Sequence, residues 1–354
     1  MTTPRITWGL IGASDIAETR MIPAMRRVGH RVARLASGDA AHAARFAGRN
    51  EIPYGTGEFG LDELLDDPNI DAVYISSTNA RHLAQASAAA AAGKHVLCEK
   101  PVALDLQSAH RMTAVCAAHG VVLGVNHHLP AAGTHRVVRE LVRDGAIGRV
   151  LAVNVQHTSL LPERLRGWRL GDAAGSGVVM DLTCHDASVV NPLVEARALH
   201  ASAIAARQHD WGPGHAEDVA VSALEYEGGV VVRLHDAFTT PYAPTRLEVY
   251  GDGGSIVADG VMTPEPDGTL VLRDARGERE VEVSDRRHTY DITLHHFASA
   301  TAGEGRPVVD GRDAADALAV ALAVLDSARS ERTVPVEFST IPATGSTITQ
   351  PENS

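Results

Sequence analysis

The stretch Arg5-Ile6-Thr7-Trp8-Gly9-Leu10-Ile11-Gly12-Ala13-Ser14-Asp15-Ile16-Ala17 decides how the rest of the chain reads. Residues 5–11 alternate and then run apolar, Gly12 ends the run, and residues 18–28 carry helical spacing, so the order is strand, tight turn, helix. Such a turn brings backbone N–H groups and a helix N-terminus to one point, where a pyrophosphate binds readily. The turn departs from G-x-G-x-x-G: Ser14 stands where the second Gly would let a phosphate approach, and Ala17 where the third would admit close helix packing. Both replacements are small, so Gly12, Ala13, Ser14, Asp15 and Ile16 can still form the cradle. A plain strand-to-helix turn is the competing reading.

Outward from that turn the alternation continues. Residues 30–36 read as a strand, 39–47 as a helix, 71–76 as a strand and 81–92 as a helix closed by Gly93. A strand ending at Lys100, a helix over 105–118 closed by Gly120 and a strand over 121–125 follow. Strands alternating with helices imply a parallel sheet with crossovers, a doubly wound α/β domain over residues 1–125. After Asn126 the pattern changes. A helix over 135–143, a strand over 149–157, a turn holding Gly171, Gly175 and Gly177, and a helix over 178–191 lead into strands at 198–206, 218–227, 230–237, 245–251, 254–258, 270–273 and 280–283. Strands in series without helices between them predict an open, mainly antiparallel sheet with helices on one face. Helices over 289–302 and 313–328 close a second α/β domain, 126–337, and residues 338–354 read as a flexible tail.

With 354 residues, 44% hydrophobic and 21% charged, the chain is an ordinary core-forming protein long enough for two domains. A net charge of -12 and the lack of a Lys/Arg block exclude nucleic acid as a partner. No apolar run nears the ~20 residues of a membrane helix, and the alanine-rich residues 84–92 read as a buried helix. Cys98, Cys116 and Cys184 have no metal-like spacing, residues 1–5 lack a signal-peptide layout, and a cytoplasmic protein is expected.

Two stretches carry chemistry. Val96-Leu97-Cys98-Glu99-Lys100-Pro101 delivers a Lys to the open end of a buried strand, in the crevice where such sheets bind ligands. Pro101 biases Lys100 away from helical backbone and so aims it. The plainer alternative is a strand that stops at a Pro with its charges in water. In Asp181-Leu182-Thr183-Cys184-His185-Asp186, Asp181 and His185 share one helical face. Hydride arriving at a carbonyl carbon leaves an oxyanion, which His185 can protonate and Lys100 can stabilise while Asp181 orients them. An Asp capping its helix and satisfying the His is the alternative. No metal is expected: the adjacent pairs His127-His128 and His295-His296 diverge, and Asp181 with His185 lacks a third partner. About 20 residues beyond the turn, where an acid would hold a ribose 2′-hydroxyl, stand Ser37-Gly38. Ser37 can donate to a 2′-phosphate, Asp39 either caps the next helix or reaches the ribose, and His42 and Arg45 lie one turn on. NADP(H) is therefore favoured, with NAD(H) as the alternative.

Taken together with Ser76-Ser77-Thr78-Asn79 and His82, Gly93-Lys94-His95 ahead of the Lys100 stretch, and Asn126-His127-His128-Leu129, Gly167-Trp168-Arg169-Leu170 and His235-Asp236-Ala237-Phe238, these motifs resemble the Gfo/Idh/MocA oxidoreductases over residues 5–336. Within that family they are most similar to reductases of cyclic keto-sugars. The resemblance implies a Rossmann domain followed by an open-faced α/β domain, with a sugar-like substrate between them over the nicotinamide. It makes Lys100 the active-site Lys, His185 the acid/base His and Asp181 the Asp that orders substrate. It sets Ser77, Thr78, Asn79, His82, Glu99, Lys100, Asn126, Trp168 and Arg169 along the cofactor cleft. Ser14, Ala17 and Ser37 resemble NADPH-preferring members, whereas His42 stands where they tend to place an Arg, and Pro130-Ala131 where they often carry Arg-Asn. The expected activity is NAD(P)-dependent hydride transfer to a keto-sugar. An NAD-dependent sugar or inositol dehydrogenase and a dinucleotide sensor without chemistry are the alternatives. The second sheet's open face could pair with a further copy of the chain.

Overall fold

The structure, a computed structural model, describes residues 4–57, 60–212 and 214–338. The tail expected over 338–354 lies, Phe338 apart, outside the described residues.

Strands β1 (Thr7–Ile11), β2 (Arg31–Ala36), β3 (Tyr54–Thr56), β4 (Ala72–Ile75), β5 (His95–Cys98) and β6 (Leu123–Val125) form one parallel sheet in the order β3-β2-β1-β4-β5-β6. The order reverses between β1 and β4, which opens a crevice at their carboxyl ends. β4 is buried at every position, as a strand covered by helices on both faces must be. Local capping starts the helices: Asp39 accepts from the His42 N–H ahead of Ala40–Arg49, and Asp105 from the Ser108 N–H ahead of Leu106–Ala118. Asp39 is thus a cap. The alternation in the sequence does not announce β3 or the helix Gly60–Leu65, because three edge residues centred on a Gly carry too little periodicity.

The second sheet contains β7 (Val150–Thr158), β8 (Ala198–Ala206), β9 (Val219–Tyr226), β10 (Val231–Ala237), β11 (Arg246–Gly251), β12 (Gly254–Asp259), β13 (Thr269–Asp274), β14 (Gly277–Glu280) and β15 (Val334–Pro335). Their order is β14-β13-β12-β11-β7-β10-β9-β8-β15, and each pair is antiparallel except β10 with β7. The strand expected at 280–283 lies earlier, at Gly277–Glu280, because a tight turn in which the Arg276 N–H donates to Asp274 returns the chain at once. The inner face (Val153, Val155, Leu224, Val232, Leu234, Leu247, Val249) packs into a core with the helices Cys184–Val194 and Gly311–Ser330. The outer face exposes Ile204, Val221 and Val231.

The last two long helices join the halves. Tyr290, Leu294, Phe297 and Ala298 of Thr289–Thr301 enter the core of Trp8, Leu10 and Leu97, with the Trp8 and Phe297 ring centroids 5.3 Å apart. Gly311–Ser330 packs Ala314, Leu318 and Ala321 toward the first sheet, and Ala317, Val320 and Val324 toward the second. Phe297→Ala is expected to destabilise the protein by about 3–5 kcal/mol. A urea midpoint indistinguishable from wild type would show that this ring does not hold the junction.

Candidate active site

Lys100 follows β5, and its peptide to Pro101 is cis. Its Nζ donates to Asp181 Oδ1 at 2.5 Å and to the Asp181 carbonyl at 2.8 Å, while Arg169 Nε donates to Asp181 Oδ2 at 3.0 Å. One carboxylate therefore binds an ammonium from the first sheet and a guanidinium from the loop before its own helix. Burial raises the Asp181 pKa, but the Lys100 and Arg169 charges outweigh it and hold the carboxyl well below the usual range. Glu99 turns inward: its Oε1 accepts from Tyr74 Oη at 2.5 Å and Asn126 Nδ2 at 2.6 Å, and burial pushes its carboxyl up. It braces Asn126, whose buried Oδ1 has no partner among the described residues.

His185 lies four positions past Asp181, after a wide turn over Val179–Thr183. Its ring stands edge-on to His127 at 5.2 Å, 5.0 Å from His128 and 6.4 Å from His157, and His128 stacks on Tyr290 at 5.1 Å. Burial, then the Lys100 charge, drives His185 and His128 well below the ordinary imidazole value and His127 to about 3. Burial also lowers His157 to about 4. These imidazoles are neutral at pH 7. Adjacent residues on a regular element diverge, yet His127 and His128 both reach His185, because the chain leaves β6 directly for the short turn Leu129–Ala131. Sequence spacing also missed a cluster on three separate elements: His157 Nδ1 is 2.7 Å from Asp186 Oδ1, and Thr183 Oγ1 donates to Asp236 Oδ2 at 2.5 Å.

The turn at Gly12 lies at the carboxyl ends of β1 and β4. Gly12 has φ +113°, and a Cβ there would sit 2.8 Å from the Ser76 carbonyl carbon and the Ser77 nitrogen, so only Gly lets the turn lie on the end of β4. Ser14 Oγ donates to Ser76 Oγ at 2.8 Å and accepts from the Ala17 N–H at 3.2 Å, capping the helical stretch 15–27. Ala13 and Ile16 pack beside the Trp8 core, His42 Nε2 lies 3.1 Å from the Ala13 carbonyl, and Asp15 accepts from Arg164 of the second domain at 2.6 Å. Ser77 Oγ donates to Gln85 at 2.5 Å, and Thr78 leads into the turn Asn79–Arg81. Asn79 faces Gly175, where a Cβ would stand 2.8 Å from its Nδ2. Ser37 follows β2, with its N–H on the Thr56 carbonyl at 3.2 Å. Beside it Arg81 Nη1 lies 3.8 Å from where a Gly38 Cβ would be. Arg81 comes from the turn Asn79–Arg81 after β4. His82 does not open on the cleft: it is fully buried, with Nδ1 3.2 Å from the Pro101 carbonyl and Nε2 3.3 Å from that of Ser77. Trp168 is 48% exposed, with the Arg169 guanidinium 4.8 Å over its ring. A positive helix end, small side chains at the turn and a guanidinium at the β2 end fit a dinucleotide.

Because folding lowers the Asp181 pKa, the ion pair contributes stability that is fully present above about pH 4, its unfolded value, and lost as pH falls through the lower folded value. Asp181→Asn, which strands Lys100 and Arg169, is expected to lose about 3–5 kcal/mol at pH 7, with the gap to wild type narrowing below about pH 4. A gap independent of pH in urea titrations would disprove the charged pairing.

Comparison with known proteins gives the same picture. Residues 6–127 match the family model described as an oxidoreductase family with an NAD-binding Rossmann fold, and residues 135–257 match the GFO/IDH/MocA C-terminal domain. The 1,5-anhydro-D-fructose reductase of Ensifer adhaerens is 41% identical over 93% of this chain and 98% of its own. Myo-inositol 2-dehydrogenase of Thermotoga maritima is 28% identical over 78% of this chain and 82% of its own. The crystal structure of aldose-aldose oxidoreductase from Caulobacter crescentus superposes with a TM-score of 0.84 at 24% identity, covering 94% of this chain and all of that one. With both halves matched and a relative this similar along nearly its whole length, the chain belongs to the Gfo/Idh/MocA oxidoreductases.

Proposed function

We propose that this oxidoreductase reduces a cyclic keto-sugar with a preference for NADP(H). The observation that carries the reading is the bond from Lys100 Nζ to Asp181, one helical turn from a buried, neutral His185. The dinucleotide, when bound, supplies the hydride. A carbonyl oxygen lodged at Lys100 meets an ammonium already oriented by Asp181, which stabilises the negative charge that develops on that oxygen. Arg169 on the second Asp181 oxygen keeps the carboxylate ionised and fixed, so Lys100 does not swing away. His185 then passes a proton to the oxyanion and, being neutral at rest, needs a source behind it to do so.

The Ensifer adhaerens relative supports a cyclic keto-sugar as substrate class, and the imidazoles around His185 offer both donors and acceptors to sugar hydroxyls. NADP(H) is supported by the absence of a carboxylate at Ser37-Gly38, by the use of Asp39 as a helix cap and by Arg81 beside Gly38. A second reading, an NAD-linked sugar or inositol dehydrogenase, is favoured by the neutral His185, which is ready to accept a hydroxyl proton, and by the Thermotoga maritima relative. The three free, buried thiols suit a reducing cytoplasm, and no described helix is long and apolar enough to cross a membrane.

Initial rates with NADPH and NADH on 1,5-anhydro-D-fructose and a panel of cyclic keto-sugars, and with NADP⁺ and NAD⁺ on the matching alcohols and inositol, separate the readings. NADPH-linked reduction is expected to lead by at least about tenfold in kcat/KM; faster NAD⁺-linked oxidation would reverse the assignment. Dinucleotide binding without turnover of any substrate would favour a sensor. Lys100→Ala is expected to lower kcat by about 10²–10³-fold, with a far smaller change in dinucleotide affinity. Arg81→Ala should weaken NADPH by about tenfold and leave NADH unchanged. Equal losses for both dinucleotides would remove Arg81 from the 2′ position.

A further inference from the structure

Behind His185 lies a set of ionisable side chains that the chemistry above does not use. Asp186 adjoins His185 on the helix, and His157 of β7 and Asp236 of β10 are paired in register across the sheet. His157 Nδ1 is 2.7 Å from Asp186 Oδ1, Thr183 Oγ1 donates to Asp236 Oδ2 at 2.5 Å, and donor atoms of His157, Asp186 and Asp236 all lie within 4.8 Å of one another. Asp186 and Asp236 are 0% and 1% exposed, and among the described residues no Lys or Arg pairs with either. Asp186 Oδ2 and Asp236 Oδ1 have no donor among the described residues. Two buried carboxyls so close cannot both ionise; a proton bridging them supplies the missing donor. Burial pushes Asp186 up to about 7, and burial and then the Asp186 charge push Asp236 well above the usual carboxylate range. The groups facing His157 are Asp186 and His185 from the helix, Asp181 from the turn before it, Asp236 from β10, Lys100 from the end of β5, His128 from the stretch after β6 and His135 from the helix Gly133–Arg143.

We propose that Asp186 and Asp236 form a proton store and that His157 carries its proton to the cleft, resupplying His185 during carbonyl reduction. The assignment rests on the reductase reading above. The His157 and His185 centroids are 6.4 Å apart, and one hydroxyl, of water or of the sugar, relays the proton between their ring nitrogens. In the charged store Asp186 holds a proton against His157 Nδ1, and His157 Nε2 carries the ring proton. As hydride reaches the carbonyl carbon, His185 releases its ring proton to the oxyanion from one nitrogen and takes the bridging hydroxyl's proton on the other. That hydroxyl takes the His157 Nε2 proton, and Asp186 passes its own to Nδ1. Each imidazole and the hydroxyl end neutral. The store loses one proton and is left with an Asp186 carboxylate that accepts from His157 Nδ1–H and the Asp236 carboxyl. Water recharges it after turnover. Asp186 and Asp236 are thus positioning residues that act through His157.

The test uses the full-length enzyme, NADPH and whichever keto-sugar it turns over. Wild-type reductive kcat is expected to fall as pH rises through about 7, where Asp186 loses its proton. Asp186→Asn and His157→Gln should lower kcat by about 10²-fold or more, leave KM within about threefold and abolish that limb; Asp186→Glu, which restores a carboxyl, should recover part of the rate. Infrared spectroscopy reads the store without turnover: a buried protonated-carboxyl band should bleach through about pH 7 in wild type and be missing or shifted in the near-isosteric Asp236→Asn. A protein that reduces no keto-sugar yet shows the band would sink the reductase reading and keep the store. Unaltered kcat and pH profile in Asp186→Asn, the absence of the band, or one divalent ion per purified chain that Asp236→Asn releases would each overturn the proposal.

Discussion

Asp181 is the point through which the two halves of the site act on each other. Its carboxylate receives Lys100 from the end of β5 and Arg169 from the second domain's loop, and its carbonyl accepts from Lys100 as well. Burying one carboxylate against two cations is stable only if its geometry and hydrogen bonds offset desolvation, and here each oxygen has a charged donor. The arrangement aims the ammonium before any ligand arrives. It also places that ammonium one helical turn from His185, where its charge adds to burial in keeping the imidazole neutral.

Five positions further along the same helical segment, Asp186 has the opposite fate. Asp181 faces cations and stays ionised; Asp186 faces a neutral imidazole and another carboxyl, and it holds a proton up to about pH 7. The same residue type thus serves as an electrostatic anchor on one side of His185 and as a titrating acid on the other. Environment alone makes the difference, since burial raises both and only Asp181 has charges that outweigh it. The long helices Thr289–Thr301 and Gly311–Ser330 keep this geometry fixed by giving the two sheets a shared wall.

Much of the fold is legible in the sequence because its signals are local. Asp105 and Asp39 start helices with bonds to residues three positions away, and the alternation of residues 219–226 marks β9 without reference to any neighbour. Gly12 is legible for the same reason: a strand meeting a helix there needs a residue that tolerates positive φ. Where information is spread thinly, as in the three residues of β3, the pattern falls silent.

The sequence by itself determined the order of most strands and helices, the Gly12 turn between the first strand and helix, and the presence of Lys100, Asp181 and His185 at the ends of their elements. Periodicity and capping act within a few residues, so the chain states them directly. Only the tertiary structure decided which partners each polar group has. It gave both Asp181 oxygens to cations, turned His82 inward onto backbone carbonyls, and brought Arg81 to the end of β2. It also assembled His157, Asp186 and Asp236 from two strands and a helix. Those pairings depend on how separate elements pack and register, and spacing along one chain does not encode the distance between two elements across a core.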